Sequence, residues 1–210
     1  MHQKRNVKTG SACMRFVLVL CLLVPASVYY TGVEAAEAVQ ISPEAAFERI
    51  EKKIEERTHQ ENARALREFT RKHAGWEDIR RARLFLGKSL VLSGDVSAGK
   101  NELERIIEKS PKAAEVPAAY YYTARAQEAL GDFPAAVLSY QVLRSRFSGH
   151  ELAPRAALNE ALLAEKILRN KKRARRIYET FARRYPEHPR AGDVLNHLGL
   201  MAEKGNGRGN

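Results

Sequence analysis

A pair of residues suited to a tight turn recurs along this chain at a nearly constant interval. Gly94-Asp95 returns as Gly131-Asp132, and a degraded pair, Arg169-Asn170, follows at an interval that is longer by a single position. Self-similarity with a period of roughly 20–50 residues is typical of repeat proteins, in which each copy is one supersecondary unit packed against the next. The interval therefore predicts a chain built by stacking similar units.

The residues around each turn indicate that the unit is a helical hairpin. Leu86-Gly87 precedes the first turn, and Thr123-Ala124 and Ala161-Leu162 are assigned to the same place in the later copies. Small residues after the turn let two helix backbones approach closely, and large residues four and seven positions further along each copy fill the adjoining space. These positions hold Gly99, Ala136 and Ala174, then Leu103, Tyr140 and Tyr178, and then Ile106, Leu143 and Phe181.

Turn chemistry and composition both favour helices. Asp95 and Asp132 are placed to cap the second helix of a hairpin, and the preceding glycines supply the turn. Ala, Leu, Glu, Arg and Lys dominate the chain, and these residues lose little rotamer freedom in a helix. The pattern predicts nine helices at about 43–58, 60–74, 77–93, 96–109, 117–130, 133–147, 154–168, 171–185 and 190–203.

The order Leu-Gly, Gly-Asp, Ala, Tyr and a closing Pro resembles the tetratricopeptide repeat (TPR). Three copies are in register, and Phe69, which stands as far before Leu86 as Phe181 does before Leu198, indicates a partial fourth copy. The resemblance covers about residues 41–204 and implies an all-α fold. The family's architecture is a right-handed superhelix, here of about four antiparallel hairpins plus a C-terminal capping helix, with the first helices lining a concave groove. Residues 205–210 lack apolar side chains and are predicted to be a disordered tail.

The N-terminus has the order of a secretory signal. Four basic residues precede an apolar run over residues 16–24, and small residues around 33–38 offer cleavage sites, so residues 1–35 are predicted to be a signal peptide. Translation from Met14 would give a more compact signal. Alternatively, if residues 25–33 also enter the bilayer, the segment is long enough for a retained membrane anchor. Both cysteines, Cys13 and Cys21, precede the predicted cleavage sites, so the exported chain would have no disulfide or thiolate metal site.

The length of the period agrees with export. It exceeds the roughly 34 residues of the standard repeat by three or four, and the extra length is assigned to the links between repeats. Pro117 and Pro154 follow these links at positions suited to a helix start. Such links resemble those of TPR domains in bacterial envelope proteins, among them the Tol-Pal-associated periplasmic coordinator and the β-barrel assembly lipoproteins. The resemblance implies a periplasmic location.

The family's groove positions carry over to three first helices. They combine aromatic and basic side chains, which suit an extended peptide with acidic or C-terminal carboxylate character. Either Tyr121 or Tyr122 could instead pack against neighbouring helices. Glu160 is placed on the same face. The remaining candidates for partner binding are Arg81, Leu84, Phe85, Lys88, Arg125, Asn159 and Lys166.

Basic residues concentrate near the end of the chain. Residues 165–190 contain ten basic and three acidic residues, a local net charge of +7 out of +11 for the whole chain. Such a cluster could hold anionic lipid, acidic glycan or an acidic partner, or could be a solvated convex face. The predicted patch consists of Lys171, Lys172, Arg173, Arg175, Arg176, Arg183 and Arg184.

No catalytic motif accompanies these features. The six histidines form no metal-binding helical pair, and the chain lacks HExxH, a Gly-rich phosphate loop and GxSxG. The sequence therefore predicts a non-catalytic scaffold or adaptor of the cell envelope, without a cofactor, that holds a protein or peptide partner. The alternative is a polyanion-binding module that uses residues 165–190, with nucleic acid as its ligand only if the chain is not exported.

Overall fold

The computed structural model describes residues 41–206, with side chains up to residue 203. This range contains nine α-helices and no strand. By its internal contacts the chain divides into residues 1–46 and residues 47–210, and the division falls within the first helix. The predicted signal segment and both cysteines lie outside the described residues. The helices are α1 Pro43–Lys52, α2 His59–Lys72, α3 Ile79–Ser93, α4 Val96–Lys109, α5 Val116–Ala129, α6 Phe133–Arg146, α7 Ala153–Lys166, α8 Lys171–Arg184 and α9 Ala191–Asn206.

Within residues 47–210 each helix from α2 onward packs against the next one in the chain, and the first helices α3 and α5 also contact each other. Phe47 on α1 and Phe69 on α2 join the first pair, with their ring centroids 5.5 Å apart. The predicted all-α fold of stacked antiparallel hairpins is therefore confirmed. Each helix packs against its partner in the same hairpin and against a helix of a neighbouring repeat, as in a helical solenoid.

The α3–α4 crossing depends on two glycines. A Cβ atom added to Gly99 would lie 2.8 Å from the carbonyl oxygen of Gly87, and one added to Gly87 would lie 2.6 Å from Cγ of Leu103. Both distances are shorter than side chains tolerate. Ala136 and Ala174 are fully buried at the same place in the later copies. The predicted close helix contacts at small residues are confirmed.

The turns require left-handed backbone. Gly94 and Gly131 have φ of 98° and 80°, and Arg169 has φ of 54° in the degraded third turn. The side chain of Asp132 caps α6 by accepting a hydrogen bond from the backbone N–H of Ala135 at 3.2 Å, as predicted. Asn170 caps α8 in the same way.

Asp95 does not make the predicted capping hydrogen bond. Its carboxylate lies 3.0 Å from the guanidinium of Arg67 on α2 instead. A guanidinium is a charged donor that can engage a carboxylate more strongly than one backbone N–H does. Asp95 thus connects the hairpin α3–α4 to α2 instead of capping α4 with its side chain.

Helix α1 is shorter than predicted, because it ends at Lys52 and not near residue 58. Thr58 caps α2 in a capping box: its Oγ1 accepts from the backbone N–H of Glu61, while its own N–H donates to the Glu61 carboxylate at 2.8 Å. An N-cap has non-helical backbone, so α1 cannot continue through it. Elsewhere the observed helix bounds lie within two or three residues of the predicted ones, and α9 includes residues 205 and 206.

The third copy has a different register from the predicted one. Ala161 is fully buried and Leu162 is half exposed, so Glu160-Ala161 occupies the place of Leu86-Gly87. The first helices of the three copies therefore repeat at one constant interval. The additional residue of the third copy lies in the turn between α7 and α8, around Arg169.

Candidate partner-binding groove

Helices α3, α5 and α7 share one face that is largely uncovered, with contacts from α1 only at its α3 end. Five positions of α3 are buried and are also buried in α5 and α7 at the constant interval of the first helices, namely Ala82, Leu86, Gly87, Ser89 and Leu90. Four other positions are half-buried or exposed in all three helices. We call these uncovered positions the first-helix face. It consists of four rows: Arg81, Ala118 and Arg155; Phe85, Tyr122 and Asn159; Lys88, Arg125 and Leu162; and Leu92, Ala129 and Lys166.

Tyr122 lies at the centre of the first-helix face and remains half-buried. The Nζ atom of Lys88, on the neighbouring first helix, lies 5.6 Å from the centre of the Tyr122 ring. A cation over an aromatic face is attracted by the ring quadrupole. The structure therefore brings together two of the predicted site residues from adjacent repeats, and it places an aromatic surface beside a positive charge.

Tyr121 is a core residue. Only 7% of its surface is exposed, and its ring packs edge-on against Tyr122 at 5.3 Å and against Tyr140 at 5.8 Å. The packing alternative therefore describes Tyr121. Burial works against the charge on Arg125, but the nearby Tyr121 hydroxyl helps to raise the pKa of this guanidinium. Tyr121 thus supports the Tyr122 ring and favours the charged form of Arg125.

Asn159 is held by a hydrogen-bond chain that passes through Tyr140 of α6. The Asn159 amide donates to the Tyr140 oxygen at 3.1 Å, and the Tyr140 hydroxyl donates to the carboxylate of Glu128. Burial, and then the adjacent Glu128, raise the pKa of Tyr140 far above its usual value, so the hydroxyl keeps its proton. One second-helix side chain therefore fixes polar groups on α5 and α7.

Residues at the ends of the first-helix face make separate contacts. Arg81 is paired with Glu51 and lies 5.8 Å from the ring of Phe47, both on α1. Phe85 is half-buried beside the same ring, at 6.1 Å. Lys166 is exposed, with its Nζ 3.5 Å from Glu165.

The predicted basic patch is divided between two environments. Arg173 turns inward, 2.9 Å from Glu160 and 2.8 Å from the side-chain oxygen of Gln141. Arg175 pairs with Glu179 on its own helix at 2.9 Å, and Arg184 donates to Ser148. The other members of the patch are exposed on α8: Lys171, Lys172, Arg176 and Arg183.

Glu160 does not lie on the first-helix face where its assigned register put it. Its side chain is fully buried, and its carboxylate accepts from Arg144 of α6 at 2.7 Å and from Arg173 of α8 at 2.9 Å. Counting on from Thr123 by the interval that separates it from Leu86 would have identified this position. The role of Arg144 is not predictable from the sequence, because it depends on the helix that lies opposite.

Two further properties concern the described residues only. No three of their His, Cys, Asp or Glu side chains come together as metal ligands. None of the helices between residues 41 and 206 is long and apolar enough to cross a membrane.

Stacked antiparallel helical hairpins, with glycine or alanine where the two helices cross, define the helical-repeat solenoids. The tetratricopeptide repeat model matches residues 118–150 and 155–188, which contain the hairpins α5–α6 and α7–α8. The match covers about a third of the chain and shows that these two hairpins are similar to the tetratricopeptide repeat, and α3–α4 has the same close crossing. A search of curated proteins finds no match.

Proposed function

We propose that this chain is a non-catalytic TPR scaffold or adaptor that holds a protein or peptide partner on its first-helix face. The single observation that supports this most is the repeated set of uncovered positions on α3, α5 and α7, centred on Tyr122. TPR proteins in general bind other proteins, and stacked repeats offer an extended surface for a chain-like ligand.

The chemistry of the face favours a partner segment with acidic or carboxylate groups. Tyr122 provides a large contact area at low entropic cost, and the exposed guanidinium of Arg125 can hold a carboxylate through two hydrogen bonds. Lys88 adds a second positive charge above the same ring. An extended peptide could place an apolar side chain on Tyr122 and an acidic group between the two cations.

We further propose that the protein acts in the bacterial cell envelope after export. The support is the order of basic, apolar and small residues before residue 39, and the resemblance of the inter-repeat links to envelope TPR domains. N-terminal sequencing of the native protein should find a start between residues 36 and 40. An intact chain recovered from the cytosol would refute export.

Replacing Tyr122 and Arg125 together by Ala tests the groove. We expect capture of the native partner, crosslinked in intact cells, to fall at least thirtyfold, since a buried anchor of this kind is often worth about 2 kcal/mol or more. The control is Leu138→Ala with Arg146→Ala, two exposed residues on the second helix α6. Circular dichroism should be unchanged in both variants. Equal capture by the two variants would place the site elsewhere.

The alternative is polyanion binding through the basic patch. The exposed cations Lys171, Lys172, Arg176 and Arg183 favour it, because no acidic side chain within residues 41–203 pairs with them. Salt separates the two functions. Affinity for a polyanion falls steeply with ionic strength because bound counterions are released, while a peptide held on Tyr122 loses little.

A further inference from the structure

A polar cleft opens between α6 and α8, on the side of α7 opposite to its uncovered face. Its volume is about 370 Å³, and its polar lining comprises Gln141, Arg144, Glu160, Arg173, Arg176 and Thr180. The cleft is distinct from the first-helix face, since it is formed by two second helices above a buried residue of α7. What it could bind follows from the three guanidiniums that surround it.

Glu160 at the base of the cleft occupies a position that is apolar in the first copy. Its equivalent two repeats earlier is Leu86, which is buried without any charge. Burying a carboxylate is costly unless it is paired and hydrogen-bonded. Here Arg144 donates to one carboxylate oxygen at 2.7 Å and Arg173 donates to the other at 2.9 Å. The carboxylate thereby fixes two guanidiniums from different helices toward a common space.

The cleft carries an excess of positive charge. Three guanidiniums face one carboxylate, which leaves a formal charge of +2. Arg176 has no acidic partner within residues 41–203, and its Nε makes only a long contact, 3.4 Å, with the carbonyl of Lys172. Arg144 and Arg173 still expose 22% and 31% of their side chains, so their remaining N–H groups can reach a ligand.

We propose that this cleft binds a dianionic phosphate group. The three arginines hold the phosphate, and Glu160 orients Arg144 and Arg173 toward it. Arginine presents planar pairs of N–H donors that match phosphate oxygens, and it is weakly hydrated compared with lysine. Two negative charges neutralise the cleft, whereas a single carboxylate would leave one charge unpaired. The phosphate can belong to a small molecule in solution or to a lipid headgroup. The site is independent of partner binding on the first-helix face.

The test is calorimetric titration of the purified full chain with inorganic phosphate at constant ionic strength. We expect a saturable site that Arg176→Gln weakens about tenfold, the effect of losing one charge-assisted contact worth about 1.4 kcal/mol. The matched control is Arg175→Gln, which removes the same charge from the same helix but from a residue paired with Glu179 outside the cleft. We expect less than a twofold change there. Both residues are exposed, so both variants should fold.

Vesicles distinguish the two sources of the phosphate. Vesicles of phosphatidylcholine with phosphatidic acid should retain the parent chain but not Arg176→Gln if the ligand is a headgroup. If the ligand is a soluble phosphate, the vesicles should retain neither the parent chain nor Arg176→Gln. The two chains should then differ only in their titration with inorganic phosphate. Absence of phosphate binding would overturn the proposal. Equal losses in the Arg175 and Arg176 variants would also overturn it, because they would mean that only overall charge matters.

Discussion

Glu165, near the end of α7, connects three helices through one carboxylate. It lies 2.8 Å from Nε2 of His197 on α9 and 3.4 Å from the hydroxyl of Tyr178 on α8, and Lys166 lies at 3.5 Å. Burial, and then the charge of Glu165, raise the pKa of Tyr178 to about 12, so this hydroxyl remains a donor at neutral pH. The carboxylate thus contributes to holding the last helix on the repeats.

This contact predicts a stability that depends on pH. Burial alone would raise the pKa of Glu165, but the hydrogen bond from His197 and the nearby positive charges leave it below its usual value. A carboxyl with a lowered folded-state pKa stabilises the fold at pH values above its unfolded pKa of about 4.3, and that stabilisation is lost as the pH falls through the folded value. Hydrogen exchange should therefore show α9 losing protection on acidification in the parent chain.

The comparison variant is Glu165→Gln, which cannot titrate. We expect its α9 protection to be lower at neutral pH and to lack the component that disappears in acid in the parent. An identical acid dependence in both chains would show that other carboxylates control the docking of α9.

Single residues were the least predictable part of the site from sequence. Tyr121 and Tyr122 are adjacent and chemically equal, and only the packing against Tyr140 decides which of them is buried. Glu160 was misplaced because the sequence does not show where the third copy has its extra residue. That residue can be counted before α7 or, as the structure has it, in the α7–α8 turn. Asp95 has the sequence context of a cap, yet Arg67, which is distant in sequence, takes its carboxylate.

At the scale of helices, the sequence predicted the fold well because turns and close crossings are local or periodic signals. The two Gly-Asp pairs mark two turns, and small residues mark the crossings. The end of α1 was not predictable in this way. It depends on the capping box of Thr58 and Glu61, which competes with helix propensity over the same residues.

Two glycines provide a matched test of the helix contacts. Gly99→Ala should lower the free energy of unfolding by about 1–3 kcal/mol, because its Cβ would overlap backbone atoms of α3. Gly199→Ala, on α9, should raise it by about 0.5–1 kcal/mol, since nothing lies near the new Cβ and alanine favours helix more than glycine. Thermal unfolding measures both changes. Shifts of the same sign would contradict the assigned crossing.

The repeat register makes a second prediction about packing. Ala136→Leu and Ala174→Leu should each cost about 1–3 kcal/mol, because both alanines are fully buried at a helix crossing. Ala118→Leu, at a half-buried position of the first-helix face, should cost much less. Equal midpoints of thermal unfolding for the three variants would mean that the alanines do not lie where the hairpins cross.

At the scale of the whole repeat array, two different surfaces emerge from one repeated pattern. The first helices repeat an uncovered face with an aromatic and basic centre, while the second helices enclose the charged cleft above Glu160. The location of the first face followed from the family resemblance. The cleft did not, because it needs side chains from three successive helices, and only their packing shows which of these side chains meet.

The central claim is that a partner occupies the first-helix face, and position-specific photocrosslinking in intact cells tests it most directly. A photoreactive phenylalanine derivative would replace Ala129, an exposed residue of that face that leaves Tyr122 and Arg125 intact. The control position is Leu138, which is 60% exposed on the second helix α6. We predict a saturable crosslink to one protein species from position 129, its loss when Tyr122 and Arg125 are replaced by Ala, and none from position 138. A crosslink from position 138 alone, or one from position 129 that survives the double replacement, would contradict the account.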